Sequence, residues 1–210
     1  MSRLQAQFRF VVELDRLKAT LRQTTLIDCS RQENSAEHSW HLAMMALLLA
    51  EYSAEPVELT RVLKMVLVHD VIEIDAGDTF CYDVRANLDK DTRERIAAER
   101  LFGLLPPDQG ADLRGVWEEF EEGVTAEAHF AVALDRLQPL LQNCHAEGGT
   151  WRRHGITWSQ VVRRMQPIQA AAPGLWAEVM RMLEDALAVG WIAVDPSPAC
   201  PSGGEAGEKR

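Results

Sequence analysis

The chain has 210 residues, 47% of them apolar, enough for one domain with a sizeable core. Its formal net charge of -10 argues against a broad nucleic-acid-binding face, which needs Lys and Arg against phosphates, but leaves room for a small phosphorylated ligand in a local pocket. No continuous apolar core of a signal peptide opens the sequence, and no stretch reaches the roughly 20 apolar residues of a membrane helix, so a soluble cytoplasmic protein is expected. Cys29, Cys81, Cys144 and Cys200 are scattered without a CxxC pair, which reads as reduced thiols rather than a zinc ribbon or disulfide framework.

Apolar residues recur at helical spacing almost throughout, and no convincing alternating β-branched run interrupts them, so the fold class is all-α. Phe8, Val11, Val12, Leu14 and Leu17 predict a first helix that ends before the polar stretch 22–34. Ser35 or a neighbour caps a second helix whose apolar run, Trp40 to Tyr52, is expected to be buried on most sides. After Pro56 a third helix covers 57–69, and Asp70-Val-Ile-Glu-Ile continues as a short helical segment into the loop 75–83.

Further helices are predicted over 89–105, 108–122 and 125–147, the last with Pro139 as a kink, then over 158–166 and 173–189. The residues from 193, rich in Pro, Gly, Ser and charge from Asp195 onward, are expected to form a disordered tail on a single domain of residues 1–192. No internal repeat is visible.

The chemistry concentrates in three places. His69-Asp70 stands where an apolar helix meets an acidic segment, and adjacent imidazole and carboxylate can share one divalent ion only at a helix end or turn. The dipeptide alone is common by chance. His38 lies at the start of the second helix in RQENSAEHSWH, with His41 one turn later, and spacing does not choose between these two histidines. Asp135 sits inside the apolar ALDRL, where an unpaired carboxylate is costly, so it requires a cation or a neighbouring arginine such as Arg136.

The order His, His-Asp, Asp over separate helices resembles the HD superfamily of metal-dependent phosphohydrolases. The segments RQENSAEHSWHLAMMALLLAEY, VLKMVLVHDVIEIDAGDTFCYD and AHFAVALDRLQPLLQN are similar to the branch that includes the 5′-deoxynucleotidases and related small HD-domain hydrolases. The resemblance extends to about Trp191 and implies a helical bundle holding one divalent metal ion (Mn, Co, Fe, Mg, Ni or Zn) on His38, His69, Asp70 and Asp135. His41 then reads as a hydrogen-bonding support or as a satisfied core histidine.

In the deoxynucleotidases the residue matching Glu73 helps to activate or orient the attacking water, and the Asp of the Gly77-Asp78 step also belongs to the active site. Asp75 is a weaker supporting candidate. Arg22 resembles the arginine that contacts phosphate, and Arg31 is a second candidate near His38. The aromatic that follows this arginine in the deoxynucleotidases is replaced here by Gln23 and Thr24, and an insertion is needed across 22–28.

The activity implied is a phosphomonoesterase acting on (deoxy)nucleoside 5′-monophosphates. The rivals are phosphodiester or nucleoside triphosphate hydrolysis and a non-catalytic nucleotide-binding domain. The relatives further imply a homodimer, a nucleotide as partner, and neither nucleic acid nor membrane. His129, His145 and His154 fit no ligand spacing, the tryptophans read as core, and the acidic run around Glu118 to Glu122 reads as a solvated helix face.

Overall fold

The computed structural model describes residues 1–196, most of them in helices. α1 (Arg3–Leu14) runs into a short 3-10 turn at Asp15–Ala19. α2 (Ser35–Leu49) follows, capped by Asn34: its Oδ1 accepts from the Glu37 amide at 3.0 Å and the Glu37 carboxylate accepts from the Asn34 amide at 2.7 Å. α3 (Leu59–Val68), α4 (Glu73–Ala76), α5 (Lys90–Phe102) and α6 (Pro107–Glu122) come next. α7 (Ala126–His145), α8 (Gly149–His154), α9 (Trp158–Ala171) and α10 (Pro173–Ala188) complete the bundle.

α7 is the axis of the fold. Phe130, Leu134 and Leu140 are fully buried along it, and it packs against α2, α3, α6, α8, α9 and α10. Pro139 stays inside this helix rather than ending it, although it has no N–H to offer the Asp135 carbonyl one turn back. The core continues through Leu42 and Ala46 of α2, Val62, Met65 and Val66 of α3, and Val161 and Ile168 of α9.

Besides α8, which the sequence reading left unassigned, three local features depart from it. The polar stretch 22–34 contains a hairpin of β1 (Leu21–Thr25) and β2 (Gln32–Asn34), antiparallel, closed by Leu26 N–H to the Arg31 carbonyl at 3.0 Å and by Asp28 accepting from Ser30. Its strands are too short and polar to show alternation. Next, α2 is not buried on most sides: Trp40, Met44, Leu47 and Leu48 form an exposed stripe on it. Finally, the expected tail does not begin at 193. Ala193 bridges to Thr157, and the Asp195 carboxylate accepts from the Ser159 amide and hydroxyl, so these residues close the start of α9. The remainder of that expected tail, 197–210, lies outside the described residues.

Candidate metal centre

Each residue of the site is delivered by a different element. α2 supplies His38 from its first turn, fully buried. His69 terminates α3 and Asp70 begins the turn that follows, so neighbouring side chains at a helix end reach one point. α7 brings Asp135 in from the core. The turn continues into α4, whose first residue Glu73 is buried, and Gly77, at φ 73, adopts the left-handed conformation that reverses the chain ahead of Asp78.

The donor atoms converge. One nitrogen or oxygen from each of His38, His69 and Asp135 lies within 4.8 Å of the others. His38 Nε2 is 3.0 Å from Asp135 Oδ1, and His69 Nε2 is 3.0 Å from Asp70 Oδ1 and 3.9 Å from Asp135 Oδ1. Two donors on adjacent corners of one ion, each about 2.1 Å from it, are themselves about 3 Å apart.

The proton positions on the histidines test whether a cation fits. His69 Nδ1–H donates to the Val66 carbonyl at 3.0 Å, so Nε2 carries a lone pair, and it is buried with no hydrogen-bond partner. Gln138 spends its amide hydrogens on Glu33 (2.6 Å) and His41 Nδ1 (3.3 Å), leaving its Oε1 to accept from His38 Nδ1–H at 3.1 Å. In the neutral ring His38 Nε2 then also faces Asp135, 3.0 Å away, with a lone pair. Two imidazole lone pairs and carboxylate oxygens at these distances need a positive charge between them. The residues fit a divalent ion.

The electrostatics express the same demand. Burial and Arg22 press the His38 pKa down, but Asp135 and Glu33 outweigh them and raise it to about 9; without an ion, a proton answers the demand. Burial, with His38 and Arg22 beside it, lowers the His69 pKa despite Asp70 and Asp135. Against its burial, Arg136 and His38 hold the Asp135 carboxyl well below the usual range. Burial and the nearby Asp70 push Glu73 well above it, and burial also raises Asp78.

Beneath this ring lies a layer of hydrogen bonds built from residues of the RQENSAEHSWH and ALDRLQPLLQN segments, of which the sequence reading gave a role at the site to His41 alone. Glu33, almost fully buried, accepts from Gln138 and Gln142 of α7 at 2.6 and 2.7 Å and so ties β2 to the central helix. His41 reaches His38 through Gln138. Ser35 Oγ donates to Glu73 at 2.6 Å. The local sign of Glu33 was its place in the RQEN segment ahead of His38.

Arg22 enters the cluster from β1. It donates to Asp70 at 2.6 Å, approaches Asp78 at 3.8 Å and Asp135 at 3.9 Å, and their charges raise its pKa against the effect of burial. Arg31 goes elsewhere. It is exposed, forms a two-pronged pair with Glu37 at 2.6 and 2.8 Å, and does not line the cleft, which corrects its placement at the phosphate. Asp75 likewise leaves the site to pair with Arg100 and Arg16 at the surface.

The cluster opens into a cleft with two lobes that share Arg22, Asp78, Thr79, Cys81, Asp135, Arg136 and Arg164. The polar lobe, about 1020 Å³, holds His69, Asp70, Glu73, Lys90 and Glu94. The other, about 590 Å³, is walled by Phe80, Tyr82, Leu140, Trp151 and Met165.

Comparison with known proteins places this architecture. The chain is 54% identical to a predicted metal-dependent phosphohydrolase from Magnetospirillum magnetotacticum MS-1, whose crystal structure matches over 92% of this chain and 100% of that one with a TM-score of 0.87. Proteins from Pyrococcus furiosus and Pyrococcus horikoshii OT3, at 17% and 20% identity and TM-scores of 0.57 and 0.56, cover 86% and 87% of this chain and 99% and 98% of their own, and share the fold. Over 112 residues it is 33% identical to the 5′-deoxynucleotidase HDDC2 of Xenopus laevis (53% of this chain, 54% of the relative) and 32% identical to that of Homo sapiens (53% of each). The chain thus spans about half the length of the curated relatives it matches. Residues 14–176 match the HD domain family, and the chain belongs to that family.

Proposed function

We propose that this protein is a metal-dependent phosphomonoesterase acting on (deoxy)nucleoside 5′-monophosphates, with one divalent ion held by His38, His69, Asp70 and Asp135. The observation that carries the reading is the buried, unpartnered Nε2 of His69 facing the lone pair of His38 and the oxygens of two carboxylates. The printed activity of the HDDC2 relatives supports the substrate class. The apolar lobe, with Phe80, Tyr82 and Trp151, offers surface for a base and sugar beside the polar lobe.

When bound, the ion supplies positive charge to the phosphoryl group and lowers the pKa of water. Glu73, its Oε2 fixed by the Ser35 hydroxyl, orients the attacking water and takes its proton. Asp78, on the boundary of both lobes, gives a proton to the departing sugar oxygen. Arg22 balances the carboxylate charge and holds Asp70 in place.

The test is hydrolysis of a panel of phosphorylated metabolites under Mn, Co, Fe, Mg, Ni and Zn in turn, with metal content measured on the same sample. Monophosphate turnover that tracks bound metal is expected. Turnover confined to diesters or triphosphates, or nucleotide binding without turnover under every ion, would replace the reading with one of its rivals.

We also infer a homodimer. Leu4, Phe8, Val11 and Val12 of α1, and Trp40, Met44, Leu47 and Leu48 of α2, each recur one to two turns apart and remain exposed, which is unusual for large apolar side chains on two helices of one chain. A second copy of this chain covers them. Leu48→Asp should yield a monomer by sedimentation, and a wild-type monomer at micromolar concentration would end this reading. Cytoplasmic action is proposed too, in keeping with the free thiols of Cys29, Cys81 and Cys144. Among the described residues no helix is long and apolar enough to cross a membrane.

A further inference from the structure

With Arg31 at the surface and Arg22 bonded to Asp70, the two arginines expected to meet phosphate are both engaged before any phosphate arrives. A phosphate monoester brings about two negative charges into this cleft at neutral pH. The lining offers three guanidiniums, from Arg22, Arg136 and Arg164, and the first two are each bonded to an acidic side chain of the cluster, Asp70 and Asp135.

Arg164 differs. It sits on α9, half-buried, lines both lobes, and among the described residues it makes no hydrogen bond or ion pair. Arg136, which lines the same two lobes, carries a charge of the same sign. Two guanidiniums gathered in a partly buried cleft with one of them unpaired is a costly arrangement that a bound anion relieves. Its location matters as well. The junction of the lobes is where a phosphate must lie if its ester group is to extend toward Tyr82 and Trp151 while its oxygens face the polar lobe.

We propose that Arg164, with Arg136 beside it, is a phosphate-binding cation of the cleft, donating to the non-bridging oxygens that the Arg22 and Arg31 motifs were expected to meet. This rests on the phosphohydrolase reading above. No local pattern marks Arg164, since Val161, Met165 and Ile168 place the other face of α9 in the core and leave Arg164 at its edge.

The experiment measures binding of inorganic phosphate by calorimetry to the metal-loaded full chain, for wild type, Arg164→Gln and Arg164→Lys, with metal content and Tm recorded alongside. Losing a charge-assisted pair of bonds should weaken phosphate about 10- to 100-fold in Arg164→Gln, with partial recovery in Arg164→Lys. KM for a nucleoside monophosphate should rise by a similar factor while kcat changes only a few-fold, because the metal ligands are untouched. Equal phosphate affinity in wild type and Arg164→Gln overturns the proposal, as does a wild type that binds no phosphate. A wild type that binds phosphate but hydrolyses no monoester defeats the functional reading alone, and the isotherms still decide Arg164.

Discussion

The cleft beside the middle of α7 and the face where α1 meets α5 and α6 are both dense in charge, and they are built in opposite ways. On the N-terminal face the charges are exposed and matched: Arg3 with Asp108 at 2.7 Å, and Arg100 with Asp75 and with Glu13, the last at 2.6 Å. In the cleft they are buried and unmatched, with Glu33, Asp70, Glu73, Asp78 and Asp135 set against Arg22 and Arg136 as their bonded cations. Exposed pairs contribute about 0–1 kcal/mol each and fix nothing uniquely. A buried acidic excess persists only where something else neutralises it, so the imbalance itself marks the site of chemistry.

The sharpest way to break this contrast is to substitute one carboxylate in each region. Asp135→Asn keeps the volume and removes the charge shared by His38, His69 and Arg136. Bound metal should fall below stoichiometry, and monophosphate turnover should fall by at least about 100-fold, beyond what loss of an outer hydrogen bond causes. Asp75→Asn on the surface should leave both within error. A purified Asp135→Asn protein with full metal and full activity would show that the cluster is structural.

The intermediate case is Gln138, which carries no charge yet stands at the centre of the buried network. Gln138→Leu fills nearly the same space but leaves His38 Nδ1–H only the more distant Glu33 carboxylate at 3.4 Å and removes one of the two amides that satisfy Glu33. Metal affinity should drop about 10- to 100-fold through misorientation of His38. Each unsatisfied group should also cost about 1–3 kcal/mol, seen as a lower Tm. Unchanged metal affinity in a correctly folded Gln138→Leu protein would mean that the backbone of α2 alone orients the ring.

What the sequence disclosed about these regions follows the range of the interactions involved. His69, Asp70 and Glu73 lie within one turn of each other, so helical spacing alone suggests that they converge. Asp135 announced itself because its immediate neighbours are apolar. Gln138 and Glu33 are 105 positions apart and meet only through tertiary packing, which leaves no local trace. The one misplaced arginine shows the same rule from the other side: Arg31 is seven residues from His38, but the capping box of α2 puts Glu37 at the surface, and Glu37 captures it. The hairpin and α8 were missed for want of length, since three to six residues cannot display a period.

The smallest effect belongs to the matched face, and it can be isolated by pH. The hydrogen-bonded Arg3 guanidinium lowers the Asp108 pKa from 3.8 to about 2, assisted by backbone amides at the start of α6. A depressed carboxylate pKa contributes stability above the unfolded value and loses it as pH falls through the folded one. The difference in Tm between wild type and Arg3→Ala should therefore be flat above pH 4 to 5 and close as pH falls toward about 2. Its plateau should be about a degree or less, because both side chains are more than half exposed. A plateau of many degrees, or a difference that grows on acidification, would mean that this face is organised like the cleft, and charge imbalance would lose its value as the sign that separates the two.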